Sequence, residues 1–262
     1  MPLSRRKVVL TGGSGGIGRR VGKLLIDRGA SLVTVSRSVD GNAGARHFSA
    51  DLSSPEGLKS AVAFARDEEP DVLINLAGVQ YLGPVEQQSD ADVEATYAIN
   101  LVAPALLCQA VLPAMKRKRS GQLVNVGSIL GSIALAYFVT YSSSKAGLRS
   151  LSEALRRELA GTGITVTYIA PRAVRTGLIT RKLAEYADLT GMAIDEPDSI
   201  ASRIVDVIER GSEEVYFGSA ERLFVKVNGV MPRLIDFFLA KNDRKASALF
   251  SPRDRSSGGA AS

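Results

Sequence analysis

The chain has 262 residues, 45% of them hydrophobic and 23% charged, with a formal net charge of +6, which suits one sizeable α/β domain with its own core. One cysteine, Cys108, excludes an internal disulfide; one histidine, His47, excludes multi-histidine metal sites and argues against a Ser-His-Asp mechanism. Residues 241–262 carry five basic and two acidic side chains, +3 of the +6, so the remainder is mildly basic and nucleic acid is not an expected partner.

The first predicted strand, 7–11, follows Arg5-Arg6-Lys7 and is too short for a signal-peptide core. No apolar run approaches the length of a membrane span, and a cytoplasmic protein is expected. The strand leads into Thr11-Gly12-Gly13-Ser14-Gly15-Gly16-Ile17-Gly18 and a helix over 16–28. Glycines there let the backbone approach a phosphate closely, and the free N–H groups of a helix start meet its charge. The string Gly13-x-Gly15-x-x-Gly18 matches the general dinucleotide fingerprint, a weak signal alone and a strong one at strand one of an α/β chain.

The second strand, 31–36, ends in Ser36-Arg37-Ser38 with no carboxylate until Asp40. An acidic residue at that strand end would bind the ribose hydroxyls of NAD; a hydroxyl followed by a guanidinium suits a 2′-phosphate instead. NADP(H) is therefore the expected cofactor. A third strand, 45–50, carries His47 in a position with no catalytic task. A helix over 55–67 and a strand over 71–75 follow, the strand without polar alternation, as when helices cover both faces of a parallel sheet.

The helix predicted over 90–117 ends in Lys116-Arg117-Lys118-Arg119, a cluster read as a solvated helix end that meets the dipole rather than as a phosphate patch. Strand 122–126 is followed by Ser128, at a strand end where ligands of open α/β sheets collect. The next helix, 141–160, opens with Tyr141-Ser-Ser-Ser-Lys145, which sets tyrosine and lysine one turn apart on one face. An ammonium about 5 Å from a phenol, at an effective dielectric near 20, contributes roughly 3 kcal/mol to phenolate stability, so Lys145 is expected to lower the pKa of Tyr141. Strand 165–169 leads to Pro171-Arg172. Residues 176–197 interrupt the alternation as a candidate substrate lid before a helix over 199–209 and the strand-like Val215-Tyr216-Phe217. Strand–helix repetition over this length predicts a doubly wound parallel sheet of about seven strands, a Rossmann-type fold with helices on both faces.

The order and spacing of these pieces resemble the short-chain dehydrogenase/reductase family from Lys7 to about Phe217, some four fifths of the chain. The matching residues are the Thr11–Gly18 turn, Asp51-Leu52, Asn75-Leu76-Ala77-Gly78, Asn100, Ser128, Tyr141, Lys145 and Pro171 through Thr176. The resemblance implies cofactor contacts from Gly12, Ser14, Gly16, Ile17, Gly18, Ser36, Arg37, Asp51 and Leu52 beside adenine, then Asn75, Ala77 and Gly78. It adds Tyr141, Lys145 on the ribose, and Pro171, Val174 and Thr176 beside nicotinamide. It assigns catalysis to Ser128, Tyr141 and Lys145, with Asn100 in a water-linked proton relay. It also implies a homodimer or homotetramer. Arg172 departs from the family's usual Pro-Gly and could contact an acidic substrate group.

The expected substrate is a small carbonyl or alcohol, apolar or acyl in character, because the candidate pocket residues Gln80, Tyr81, Ile129, Leu130, Tyr137, Phe138, Val174 and Leu178 are mostly apolar. Two alternatives stay open: a catalytically silent NADP-binding regulator or scaffold, and an NADP-retaining epimerase or dehydratase. Residues 1–218 form the expected catalytic domain and 219–241 an amphipathic helical extension. That extension is read as a core or subunit contact, with peripheral membrane contact as the alternative, and 242–262 as a disordered tail.

Overall fold

The computed structural model describes residues 2–39 and 44–251. Seven parallel strands form one sheet: β1 (Lys7–Thr11), β2 (Ser31–Ser36), β3 (Arg46–Ser49), β4 (Val72–Asn75), β5 (Gly121–Val126), β6 (Ile164–Ala170) and β9 (Glu214–Tyr216), in the order β3-β2-β1-β4-β5-β6-β9. The chain starts in mid-sheet, winds out to β3, then returns across β1 to build the other half. The order reverses between β1 and β4, which opens a crevice at the carboxyl ends of the strands.

Helices α1 (Gly16–Asp27) and α7 (Pro197–Arg210) cover one face; α2 (Pro55–Glu68), α4 (Ala103–Lys118) and the end of α5 (Val139–Glu158) cover the other. Strand β1 shows how period two feeds both layers: Val8 and Leu10 pack with Val21, Leu25, Ile204 and Ile208, while Val9 packs with Ala61, Leu107 and Val111. Apolar residues on both sides explain the unbroken apolar runs in the strands.

The helix expected over 90–117 is α3 (Asp90–Tyr97), a π turn at Ala98–Val102, and α4. Pro104 sits in the first turn of α4, where no N–H is needed. By length and composition Asp90–Lys118 could cross a membrane, with a mean hydropathy of 1.7 over its most apolar 18 residues, contrary to the expectation that no segment approaches a span. Its apolar side is the core face, with Leu107, Cys108, Val111 and Met115 buried, so it is a core helix. The basic cluster at its end is engaged with Glu158 through Lys116 and with Glu69 through Arg117 and Lys118.

Residues 176–197 contain α6 (Arg181–Thr190) and the short β8 (Ile194–Asp195), which pairs with β7 (Ala173–Val174) outside the main sheet. After β9, α8 (Ser219–Val230) and α9 (Pro232–Ser247) form a helical hairpin. Helix thus continues past 241, where the tail was expected to begin: Ala246 is buried against Leu183, Tyr186 and Phe138, and Phe250 stacks on Tyr137. Small apolar residues among the basic ones supply an inward stripe that composition alone hides. Residues 252–262 of that expected tail lie outside the described residues.

Candidate active site

The β1–α1 turn is a cradle that side chains would fill. Gly12 has φ 73°, and a Cβ there would meet the backbone of Ala77 at 2.8 Å. A Cβ on Gly18 would stand 2.1 Å from the Gly12 carbonyl oxygen. Gly15 caps α1 without a side-chain hydrogen bond, so the first N–H groups of the helix, at its positive dipole end, are left for an anion. Thr11 locks the cradle to β4: its Oγ1 accepts from Leu76 N at 3.0 Å and from Ala77 N at 3.1 Å. These observations fit a dinucleotide pyrophosphate.

A cleft of about 390 Å³ runs from this cradle. Gly12, Ser14, Gly16, Ile17, Gly18, Ser36, Arg37, Asp51, Leu52, Ala77 and Gly78 line it, with Pro171, Val174 and Thr176 across from them. Ser36 and Arg37 close the end of β2, where Ser36 Oγ donates to the Ser38 carbonyl at 2.8 Å. Two hydrogen bonds from Ser53 hold the Asp51 carboxyl below its ordinary range, with the Arg37 guanidinium adding to them.

Asn75, expected on the cofactor, does not reach the cleft. It is buried between strands, where its Nδ2 donates to Asn125 Oδ1 at 2.9 Å and to Cys108 Sγ. This amide ladder ties β4 to β5 below the site. Cys108 is inert there, its thiol pushed up to about 12 by burial. Asn100 also lies behind the cleft wall. Its Oδ1 accepts from Val79 N at 3.0 Å while Nδ2 donates to Val79 O at 2.9 Å and Ser144 Oγ at 3.0 Å. Ser144 Oγ in turn donates to the Tyr141 carbonyl at 2.8 Å. The π turn aims Asn100 inward, so the amide joins the loop after β4 to the helix carrying Tyr141 and Lys145. No apolar periodicity announces that turn, and a sequence reading passes over it.

Ser128, Tyr141 and Lys145 meet on the cleft floor. Ser128 follows β5 and heads a short 3₁₀ turn, with its Oγ accepting from Leu130 N at 3.1 Å. Lys145 Nζ donates to the Val126 carbonyl at 3.1 Å and stands 5.9 Å from the Tyr141 ring centre. The lowering of the phenol expected from Lys145 is opposed by burial. Burial pushes Tyr141 above the ordinary tyrosine value, and a hydrogen bond from Ser128 offsets only part of it. The same burial brings Lys145 down to about 8, and its ammonium donates to the Val126 carbonyl rather than to the phenol oxygen. At neutral pH the site therefore holds a protonated phenol beside a protonated lysine, a proton-donating arrangement.

Arg172 is spoken for. Its Nε donates to Asp195 at 3.0 Å, Nη2 to the other oxygen of Asp195, and Nη1 to Glu221 at 3.1 Å. The expected contact with an acidic substrate gives way to a clamp between β8 and α8. Of the expected pocket residues, Gln80, Leu130, Phe138, Val174 and Leu178 line the cleft. Tyr81 instead donates to Pro84 O, Ile129 packs into a core cluster with Tyr168 and Ile235, and Tyr137 stacks on Phe250. Ile179, Leu183 and Met192 complete the apolar wall; they were missed because only folding of residues 176–197 over the crevice brings them in.

With its seven-stranded parallel sheet, glycine cradle and Ser128–Tyr141–Lys145 set, the chain belongs to the short-chain dehydrogenase/reductase family, whose sequence model, described as short chain dehydrogenase, matches residues 6–187. Its class of chemistry is thus NAD(P)H-dependent interconversion of carbonyl and alcohol. The chain is 32% identical to the ketoacyl reductase HetN of Nostoc sp. over 254 residues, covering 89% of this chain and 88% of that one. It is 31% identical to the 3-oxoacyl-[acyl-carrier-protein] reductase FabG of Escherichia coli, over 71% of this chain and 80% of the relative. Among solved structures it resembles a short-chain dehydrogenase from Sphingobium yanoikuyae in complex with NADPH, with 25% identity, a TM-score of 0.74 and coverage of 88% and 95%. A short-chain dehydrogenase from Streptomyces avermitilis gives 26% identity and a TM-score of 0.75, covering 92% of this chain and 98% of that one.

Proposed function

We propose that the protein is an NADP(H)-dependent reductase of an apolar or acyl ketone, working as a homodimer or homotetramer. The observation that carries this reading is one continuous cleft. It has Arg37 and, among the described residues 36–39, no carboxylate at the end of β2, the Ser128–Tyr141–Lys145 set on its floor, and Leu130, Phe138, Leu178, Ile179, Leu183 and Met192 around the substrate end. Relatives named as ketoacyl and 3-oxoacyl reductases point the same way.

A nicotinamide dinucleotide bound along the cradle supplies hydride to the carbonyl carbon. The chain's own residues do the rest. Ser128 holds the carbonyl oxygen and stabilises the charge that develops on it; Tyr141, kept protonated by burial, gives that oxygen its proton. Lys145 holds a positive charge behind the phenol and, lining the same cleft, would hydrogen-bond the ribose of a bound cofactor. The apolar wall keeps water from the reacting carbon.

Catalytic efficiency measured with NADPH and NADH, on a 3-oxoacyl thioester and on a small hydrophilic ketone, tests the reading. Preference for NADPH and the thioester is expected; preference for NADH, or turnover confined to hydrophilic carbonyls, refutes it. Oxidised cofactor released at every turnover distinguishes a reductase from a cofactor-retaining epimerase.

A further inference from the structure

We propose that the outer face of the α8–α9 hairpin docks the enzyme onto an anionic lipid surface. The hairpin is amphipathic with an unusual outer side. Val225, Val227, Ile235 and Leu239 turn inward, onto the cluster around Tyr168 and Ile129. Outward stand Leu223, Val230, Met231, Leu234, Phe237 and Phe238, with Val230 82% and Phe237 76% exposed. Large apolar side chains rarely stand together in water without a partner.

Charge decides the partner. Between Ser219 and Ser247 lie six basic side chains and three acidic ones. One acid, Glu221, is held by Arg172. Of the other two, Asp243 is half-buried and Asp236 exposed, so a single carboxylate stands on the outer side of α9 against Arg233, Lys241 and Arg244, which with Phe237 fall at spacings of three and four on that side. Arg222, Lys226 and Lys245 are exposed too, and no ion pair engages any of these cations among the described residues. A second copy packed on this face about a twofold axis would set cations against cations. An anionic bilayer takes the phenylalanines into its interface and the cations onto its headgroups. The same hairpin braces the lid: Asn242 Nδ2 donates to the Thr190 carbonyl at the end of α6, and Ala246 packs on Leu183 and Tyr186. Docking would therefore seat the lid close to the lipid surface.

The test is flotation of the full chain with vesicles of equimolar phosphatidylcholine and phosphatidylglycerol, against phosphatidylcholine alone; it needs no turnover and is independent of the substrate proposed above. Binding to the anionic vesicles only, weakened by salt, is expected. Reversing two cations (K241E with R244E) should lower partitioning at least about tenfold, and F237S with F238S should abolish it. Both variants should keep their melting temperature and their turnover of a soluble ketone, since these side chains face away from the core. A wild-type chain that stays with the buffer in the presence of anionic vesicles overturns the proposal, whether it is monomeric or forms an oligomer that F237S with F238S dissociates.

Discussion

Lys145 carries its charge where solvent barely reaches, and that has two measurable consequences of opposite sign. Its folded value of about 8 lies below the roughly 10.4 of a free lysine. Between those values the unfolded chain binds the extra proton, so stability rises with pH across that window, and below pH 8 burial of the ammonium costs about 3 kcal/mol. Lys145→Met should therefore raise the melting temperature at pH 7, with the gain shrinking toward pH 10.5, while turnover falls at least about 100-fold. A melting difference that stays constant from pH 7 to 10.5 would show that the ammonium carries no such penalty. In the wild type, ketone reduction should be full below about pH 8 and decline as Lys145 deprotonates, because Tyr141 stays protonated throughout that range. Tyr141→Phe removes the donor itself, and NADPH oxidation with ketone should drop about 100-fold or more, with cofactor binding retained.

At the scale of elements, Arg172 joins β8, which pairs with β7 beside the cleft, to α8 of the hairpin. The pairs are partly solvated, so their worth is about 1–2 kcal/mol, yet Arg172→Ala also leaves Asp195 and Glu221 facing each other without a cation. A several-fold rise in the KM of the ketone, with a melting temperature a few degrees lower and kcat little changed, is the expected result; an unchanged KM would mean that the lid keeps its place without the clamp. This clamp was invisible in the sequence because its three members are 23 and 49 residues apart. Local signals fared better: the strand ending at Thr11, the glycine turn and the α5 pair of Tyr141 and Lys145 follow from period and spacing, and all stand where expected. What local pattern does not carry is environment. The depth at which Tyr141 sits, the π turn that turns Asn100 inward and the inward stripe of α9 each depend on neighbours that arrive only with the tertiary fold.

On the whole-molecule scale the cleft crosses both halves of the sheet, from Arg37 beyond β2 to Thr176 beyond β7, with Gly16 so close beneath Thr176 that a Cβ there would stand 2.8 Å from the threonine side chain. A ligand spanning it ties the two halves together and binds only the folded chain, so its affinity adds to global stability. At a free concentration a hundred times its Kd, NADPH should add about 2.7 kcal/mol, a rise in melting temperature of about 5–10 °C for a chain of this size. NADH at the same concentration should give a clearly smaller rise, because the 2′-phosphate is what Arg37 is placed to hold. Loss of a charge-assisted hydrogen bond is worth roughly 1.5–3 kcal/mol, so Arg37→Ala should weaken NADPH about tenfold or more and bring the two melting shifts together. Thermal melts of wild type and variant with each cofactor read this without any substrate. Equal shifts in the wild type would move the reading of the β2 end from 2′-phosphate recognition to simple stacking of the guanidinium beside adenine.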